Sequence, residues 1–158
     1  MTILTEDMKR VVHDQQLAFH ATVCADGTPN LSPKGTTDVW DDEHLWFAEI
    51  CSPQTLENIR RGSVVEVNVV DPFVRKGYRF KGPAVIYGPG TDEFGEGIER
   101  RRAAGSKLIH RVNAVVVIEV QQAAALISPA YDDGTVTEAE IVAANQARFA
   151  ELHAHAAR

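Results

Sequence analysis

Residues 17–25 alternate strictly: Leu17, Phe19, Ala21, Val23 and Ala25 share one face and His20 lies on the other. That period of two is the mark of a strand with one buried face, and the apolar set is expected to point inward, leaving His20 at the surface, with projection into the barrel as its alternative. A short polar helix ending near Gln16 precedes it. Asp26-Gly27 reads as a tight hairpin turn, because glycine tolerates the positive φ such turns need, and Asn30–Thr36 returns as a second strand. His44–Ile50 makes a third. Ser52-Pro53 opens a two-turn helix, with serine expected to cap it and proline at a position that has no N–H to lose. Leu56 and Ile59 form its apolar stripe, and Gly62 ends it. Ser63–Val70 and Gly77–Tyr87 are the fourth and fifth strands, the latter carrying Tyr78 and Phe80 on one face and Arg79 and Lys81 on the other. A charged helix spans about Thr91 to Ala104. Arg111–Val120 is the sixth strand, and its Val115–Ile118 run predicts burial on both faces or a subunit contact. Thr137 and Glu140 form a capping box that starts a C-terminal helix over 137–155, with Ile141, Ala144, Phe149 and Leu152 along one side.

Six short strands with helices at the margins predict a mainly β fold: one antiparallel sheet closed into a small barrel, with peripheral helices, in a single domain over 1–158. Regular alternation of strands with long helices is missing, which disfavours a doubly wound parallel sheet. Sixteen Lys and Arg against 22 Asp and Glu give a net charge of −6, so the global cationic field of a nucleic-acid or anionic-membrane binder is absent. No apolar run approaches the roughly 18–20 residues of a membrane span. Cys24 and Cys51 form no CxxC pair, and the start of the chain has acids where a secretory leader has a basic and then an apolar stretch. A cytoplasmic protein is the expectation.

The candidate chemistry is concentrated at one place. The third strand runs directly into the helix opened by Ser52, and the first turn of a helix presents unpaired N–H groups that suit a phosphate. Gln54 and Thr55 belong to that turn. Ser32, Pro33, Lys34, Gly35 and Thr36 in the second strand offer a cation, hydroxyls and a glycine that permits close backbone approach. The same residues are also what a plain helix cap and a packed threonine look like. No metal site is expected: the six histidines are scattered, and His153 and His155 point about 200° apart on a helix. No nucleophile elbow, P-loop or HExxH motif occurs, and no catalytic residue is assigned. Arg100-Arg101-Arg102 with Lys107 and Arg111 is the densest positive patch, read as a hydrated or salt-bridged face, with docking of an anionic nucleotide as the sharper alternative.

Four blocks in order carry a resemblance: Ala21-Thr-Val-Cys-Ala-Asp-Gly-Thr-Pro-Asn-Leu-Ser-Pro-Lys-Gly35, Leu45-Trp-Phe-Ala48, Thr55-Leu-Glu-Asn-Ile-Arg60 and Tyr78-Arg-Phe-Lys-Gly82. Together they resemble the pyridoxamine 5′-phosphate oxidase-like, FMN-binding split-barrel family over about residues 10–128. The resemblance implies a six-stranded split barrel, a homodimer with two FMN sites at the subunit interface, and an FMN-dependent oxidoreductase that uses NAD(P)H and a small-molecule substrate. It implies that Ser32, Pro33, Lys34, Gly35 and Thr36, with Ser52, Gln54 and Thr55, hold the flavin phosphate. It places Ala48, Glu49 and Ile50 beside the ring, and Arg79 and Lys81 near the flavin or the partner subunit. Family members often carry Lys or Arg where this chain has Gln54, and a neutral hydrogen bond is about half as strong as a charge-assisted one. The alternatives are therefore a flavin carrier without turnover, or a split barrel that takes a deazaflavin, haem or no flavin.

Overall fold

The computed structural model describes residues 3–156, so the outermost two residues at each end of the expected 1–158 domain lie outside it. Thr5 opens helix α1 (Glu6–Gln15): its hydroxyl accepts the Met8 N–H at 3.3 Å, and Glu6 and Asp7 sit in the electropositive first turn. Strands β1 (Ala18–Val23) and β2 (Pro29–Lys34) form a hairpin in register from Ala18↔Lys34 to Val23↔Pro29. It turns at Gly27, whose φ of 83° is in the left-handed region. Then follow β3 (Asp38–Val39), β4 (His44–Glu49), α2 (Pro53–Arg60), β5 (Val65–Asp71), β6 (Lys76–Gly82), β7 (Ala84–Tyr87), α3 (Asp92–Ala103), β8 (Ala114–Glu119), β9 (Gln122–Ile127) and α4 (Glu138–Ala156). All strand pairs are antiparallel, in a five-stranded sheet ordered β2-β1-β5-β6-β9 and a four-stranded sheet ordered β3-β4-β8-β7. The fold is mainly β with peripheral helices, as expected, but the strands form two sheets rather than one sheet closed on itself.

The expected six strands become nine among the described residues, for identifiable reasons. The predicted Gly77–Tyr87 strand is one extended run bent at Gly82-Pro83, so β6 pairs in one sheet and β7 in the other. Proline interrupts the ladder there because it has no N–H. The chain makes the reverse passage at Val120-Gln121, which leads from β8 into β9, a strand that the sequence pattern does not predict. The two bends are clamped together: the Glu119 N–H donates to the Pro83 carbonyl at 3.0 Å and the Gln121 N–H to the Lys81 carbonyl at 2.9 Å. Gly82 is required at this crossing, since a Cβ would lie 1.7 Å from the Glu119 carbonyl oxygen. Gly82→Ala is expected to cost about 3 kcal/mol or more, because neither backbone can retreat. Urea denaturation would show it, with Gly88→Ala, whose Cβ meets nothing within 4 Å, as the near-neutral control.

The β8 run Val115–Ile118 is buried on both faces within the chain. Val116 and Ile118 join Leu45, Phe47, Val67 and Phe80 in the main core, while Val115 and Val117 pack with Trp46 and Ala48 in a second cluster that Phe94 of α3 adjoins. Internal packing therefore accounts for the run, and no subunit contact is needed to explain it. The capping box holds: the Glu140 N–H donates to Thr137 Oγ1 at 3.3 Å, and Glu140 Oε2 accepts the Thr137 N–H at 2.8 Å. Along the described residues of α4 only Ile141 is buried. Phe149 packs on Phe73 with ring centroids 5.2 Å apart, whereas Ala144 and Leu152 are exposed, so the expected apolar side is only partly used.

β1 turns the other way from expectation. Ala18, His20 and Thr22 are buried, while Leu17, Phe19 and Val23 are 51, 45 and 54% exposed. The interior here has room for small and polar groups rather than a row of large apolar ones. Thr22 accepts hydrogen bonds from Asn58 and Asn30, and His20 stands edge-on to Phe47 at 4.8 Å.

Candidate functional site

The ends of β2 and β4 lie side by side where the chain enters α2, and between them is a cleft of about 290 Å3 lined by Ser32, Pro33, Lys34, Gly35, Thr36, Ala48, Glu49, Ile50 and Cys51. Its centre is Lys34. This residue closes β2 opposite Ala18, and its ammonium is buried, within 2.6 Å of both Ser32 Oγ and Ser52 Oγ and 3.8 Å from Glu49 Oε2. It lies 5.2 Å from the centre of the Phe47 ring. Burial pulls the lysine below its ordinary pKa, with the Glu49 and Cys51 side chains opposing that shift.

Glu49 shares the inward face of β4 with Leu45 and Phe47 and is likewise buried. Its carboxylate accepts both the backbone N–H and the hydroxyl of Ser52. Ser52 therefore does not cap α2 with its side chain, contrary to the sequence expectation. With Pro53 lacking an N–H, the Gln54 and Thr55 amides sit in a first turn that no intrahelical carbonyl reaches.

Two expected phosphate ligands point elsewhere. Thr55 is fully buried, its hydroxyl accepting from Asn30 Nδ2 at 3.2 Å, and Gln54 Nε2 donates to Asn58 Oδ1 at 2.8 Å. With the Asn58 bond to Thr22, these side chains pin α2 onto the β1–β2 hairpin. Around Ala48–Ile50 the backbone is partly engaged. Thr36 Oγ1 bonds both the N–H and the carbonyl of Ala48, the Asn113 N–H donates to the Glu49 carbonyl at 2.8 Å, and Asn113 Nδ2 donates to the Ile50 carbonyl at 2.9 Å.

Arg79 and Lys81 are not brought to this cleft within the chain. They lie on the outer face of the five-stranded sheet, 2.9 and 3.0 Å from the Glu66 carboxylate. The register Pro33–Phe19–Asn68–Arg79 puts Arg79 three strands from β2, about 14 Å at ordinary strand spacing. That same face carries Leu17, Phe19, Val23, Leu31 and Val64, each between 45 and 65% exposed. Of the arginine cluster, Arg100 is committed to the fold: it lies 4.2 Å over the Trp40 ring, pairs with Glu96 and donates to the Val39 and Trp40 carbonyls. Arg102 pairs with Glu99.

Sequence reasoning missed His20. Expected at the surface, it is fully buried behind Lys34, with Nε2 2.9 Å from Thr37 Oγ1 and Nδ1 without a partner. Burial, with the Lys34 charge second, lowers its pKa to about 3, so the ring is neutral at physiological pH. The signal for Glu49 was available, since a charge on the Leu45–Phe47 face of a strand is a charge on a core face. Nothing comparable marked His20, because its neighbours on the opposite face were the more apolar set. Among the described residues no cluster of three or more His, Cys, Asp or Glu could hold a metal ion, Cys24 and Cys51 are free, and no helix is long and apolar enough to cross a membrane.

The sequence profile described as pyridoxamine 5′-phosphate oxidase matches residues 4–126. No curated protein matches significantly. Among solved structures, HupZ of Group A Streptococcus is 32% identical, with 80% of this chain and 96% of that one covered at a TM-score of 0.70. HutZ of Vibrio cholerae, described as a heme storage protein, is 16% identical over 78% of this chain and 94% of its own, with a TM-score of 0.63. An FMN-binding protein of Syntrophomonas wolfei is 13% identical over 77% and 85%, with a TM-score of 0.61. At these last two identities the likeness is one of fold alone.

Proposed function

The chain belongs to the pyridoxamine 5′-phosphate oxidase family, and from that premise we propose that it is an FMN-dependent oxidoreductase, passing a hydride or electrons between a nicotinamide nucleotide and a small organic acceptor. The observation that carries this reading is the buried Lys34 ammonium, ringed by Ser32 and Ser52 beside the uncapped first turn of α2. A fixed cation, two hydroxyls and free helix N–H groups are the donor set that a phosphate monoester needs. Bound FMN would supply the redox chemistry, and the protein's part is to hold, orient and tune it. Lys34, Ser32 and Ser52 hold the phosphate with the Gln54 and Thr55 amides, and Pro33, Gly35, Thr36, Ala48 and Ile50 wall the cleft. Hydride transfer itself asks for no general acid or base, since the flavin carries the chemistry.

A cleft of about 290 Å3 is at the low end of ligand pockets, which run to about 300–1,000 Å3, so one chain encloses only part of a flavin. The proposal therefore includes a homodimer, with a second copy seated on the exposed apolar face of β1, β2 and β5 and with Arg79 and Lys81 of each subunit directed to the shared site. Leu31 is 65% exposed there, and Leu31→Asp should dissociate the dimer in sedimentation at micromolar concentration. An unchanged dimer would place the interface on another face.

One observation favours a second reading. The Gln54 amide is turned onto Asn58 and brings no charge to the phosphate position, as a weak flavin site or one for another ligand, such as a deazaflavin or haem, would have it. The deciding experiment is the absorbance spectrum after adding FMN and desalting, followed by NADH or NADPH and then an acceptor. Retained bands near ~375 and ~450 nm, the oxidised flavin's own property, that bleach and recover support the oxidoreductase. Retained bands that NAD(P)H does not bleach support a carrier, and a colourless protein removes FMN.

A further inference from the structure

We propose that the Glu49 carboxylate is the cleft's built-in anion, filling the phosphate position in the unliganded protein, so that a phosphate-bearing ligand binds only by displacing it. The inference deepens the FMN reading and rests on it for the ligand's class, a phosphate monoester, but its geometry stands on the chain's own residues. Glu49 takes the Ser52 backbone N–H and the Ser52 hydroxyl, and its Oε2 is 3.8 Å from the Lys34 ammonium. Those are three of the groups at the mouth of α2 that an incoming phosphate would use. A phosphate reaching Lys34 and Ser52 would stand within a few ångströms of a buried carboxylate that is 2% exposed, and like charges at that distance in a poorly hydrated cleft repel strongly.

The backbone cannot give way. Glu49 is paired with Ala114 in the β4–β8 ladder, and its carbonyl accepts the Asn113 N–H at 2.8 Å. Only the side chain can leave, by rotating out. The arrangement also explains how the cleft stays folded when empty. Lys34 keeps a counter-charge and the Ser52 amide keeps an acceptor, so neither is left as an uncompensated buried group. Removing the charge while keeping an acceptor should therefore leave the position open to an external anion. The residue thereby sets how far the cleft discriminates between FMN and riboflavin, which differ only by the phosphate.

Glu49→Gln tests this in the full chain with two probes. With inorganic phosphate, followed by NMR at the Ser52, Gln54 and Thr55 amides, Glu49→Gln should bind about tenfold or more tightly than the wild type. With flavins, the ratio of FMN to riboflavin affinity should rise by the same factor, through FMN and not through riboflavin. Glu49→Ala, which removes charge and acceptor together, should move in the same direction and guards against a fold-specific failure of the glutamine. Equal phosphate affinity in wild type and variants, no phosphate-induced shift in any of them, or an FMN affinity that falls on losing the charge each overturn the inference. A tenfold gap for phosphate in a protein that takes up no flavin sustains it while removing the FMN reading.

Discussion

Lowering the pH from 6.5 towards 3 will destabilise the folded domain through His20 by about 1.4 kcal/mol per pH unit. The ring is fully buried, and its pKa falls from 6.5 to about 3 because burial disfavours the imidazolium and the Lys34 ammonium adds to that. Above pH 6.5 the histidine is neutral in both folded and unfolded chains and contributes no pH dependence. Between 6.5 and 3 the unfolded chain binds a proton that the folded one refuses, so stability falls as the pH falls. Below 3 both bind it and the loss levels off, at roughly 5 kcal/mol in all. The carboxyls of Asp7, Asp26, Asp41, Glu66, Asp133 and Glu140 are held below their ordinary values by hydrogen bonds and neighbouring cations. They add their own losses only near and below the carboxylate range. The interval from 6.5 to about 4.5 lies above these carboxyls, and the comparison with a His20 variant reads the histidine within it. Denaturant titrations at successive pH values should show stability falling more steeply in the wild type than in His20→Gln, which keeps a donor for Thr37, with the stated slope as the difference between them. Equal slopes for the two proteins would mean that the ring is protonated in place.

Lys34→Met should cost about 3 kcal/mol of folding stability and at least about tenfold in affinity for a phosphate-bearing ligand. Methionine keeps an apolar stem above Phe47 and removes the charge alone. What remains is the buried Glu49 carboxylate, held by Ser52 alone among the described residues. Losing one partner of a buried pair is costlier than losing both, so Lys34→Met with Glu49→Gln should recover most of the stability while phosphate affinity stays low. Chemical denaturation measures the first effect and the phosphate titration the second. A single Lys34→Met variant as stable as the wild type would show that the Lys34–Glu49 pair contributes nothing to folding.

The pairing of these two residues joins the fold to the cleft. Lys34 ends β2 and Glu49 ends β4, in different sheets, so their meeting depends on how the sheets pack. His20 lies beneath them against Phe47, and its bond to Thr37 ties down the turn that carries Gly35 and Thr36. Thr37 in turn donates to the Lys34 carbonyl at 3.3 Å.

Local patterns determined much of this protein unaided. The turn at Asp26-Gly27, Pro53 at the start of α2, the stop at Gly62 and the Thr137–Glu140 capping box are written in short-range torsions and hydrogen bonds, and each is present. The alternation of Tyr78 and Phe80 against Arg79 and Lys81 likewise fixed their faces, and the residues of four ordered blocks were enough to point to the family. Only tertiary structure decided the rest. Alternation in β1 defines two faces but not which one meets the core. The choice fell to the interior, where His20 meets Phe47 and Thr22 meets Asn58 of α2, so that Ala18, His20 and Thr22 are buried and Leu17, Phe19 and Val23 stay outside. Ser52 looked like a cap because cap geometry is local, but a carboxylate three residues upstream reached it first. The bend at Gly82-Pro83 divides one apparent strand between two sheets because β8 crosses within contact of it. In each case the deciding partner is a group that the residue's own periodicity does not reveal.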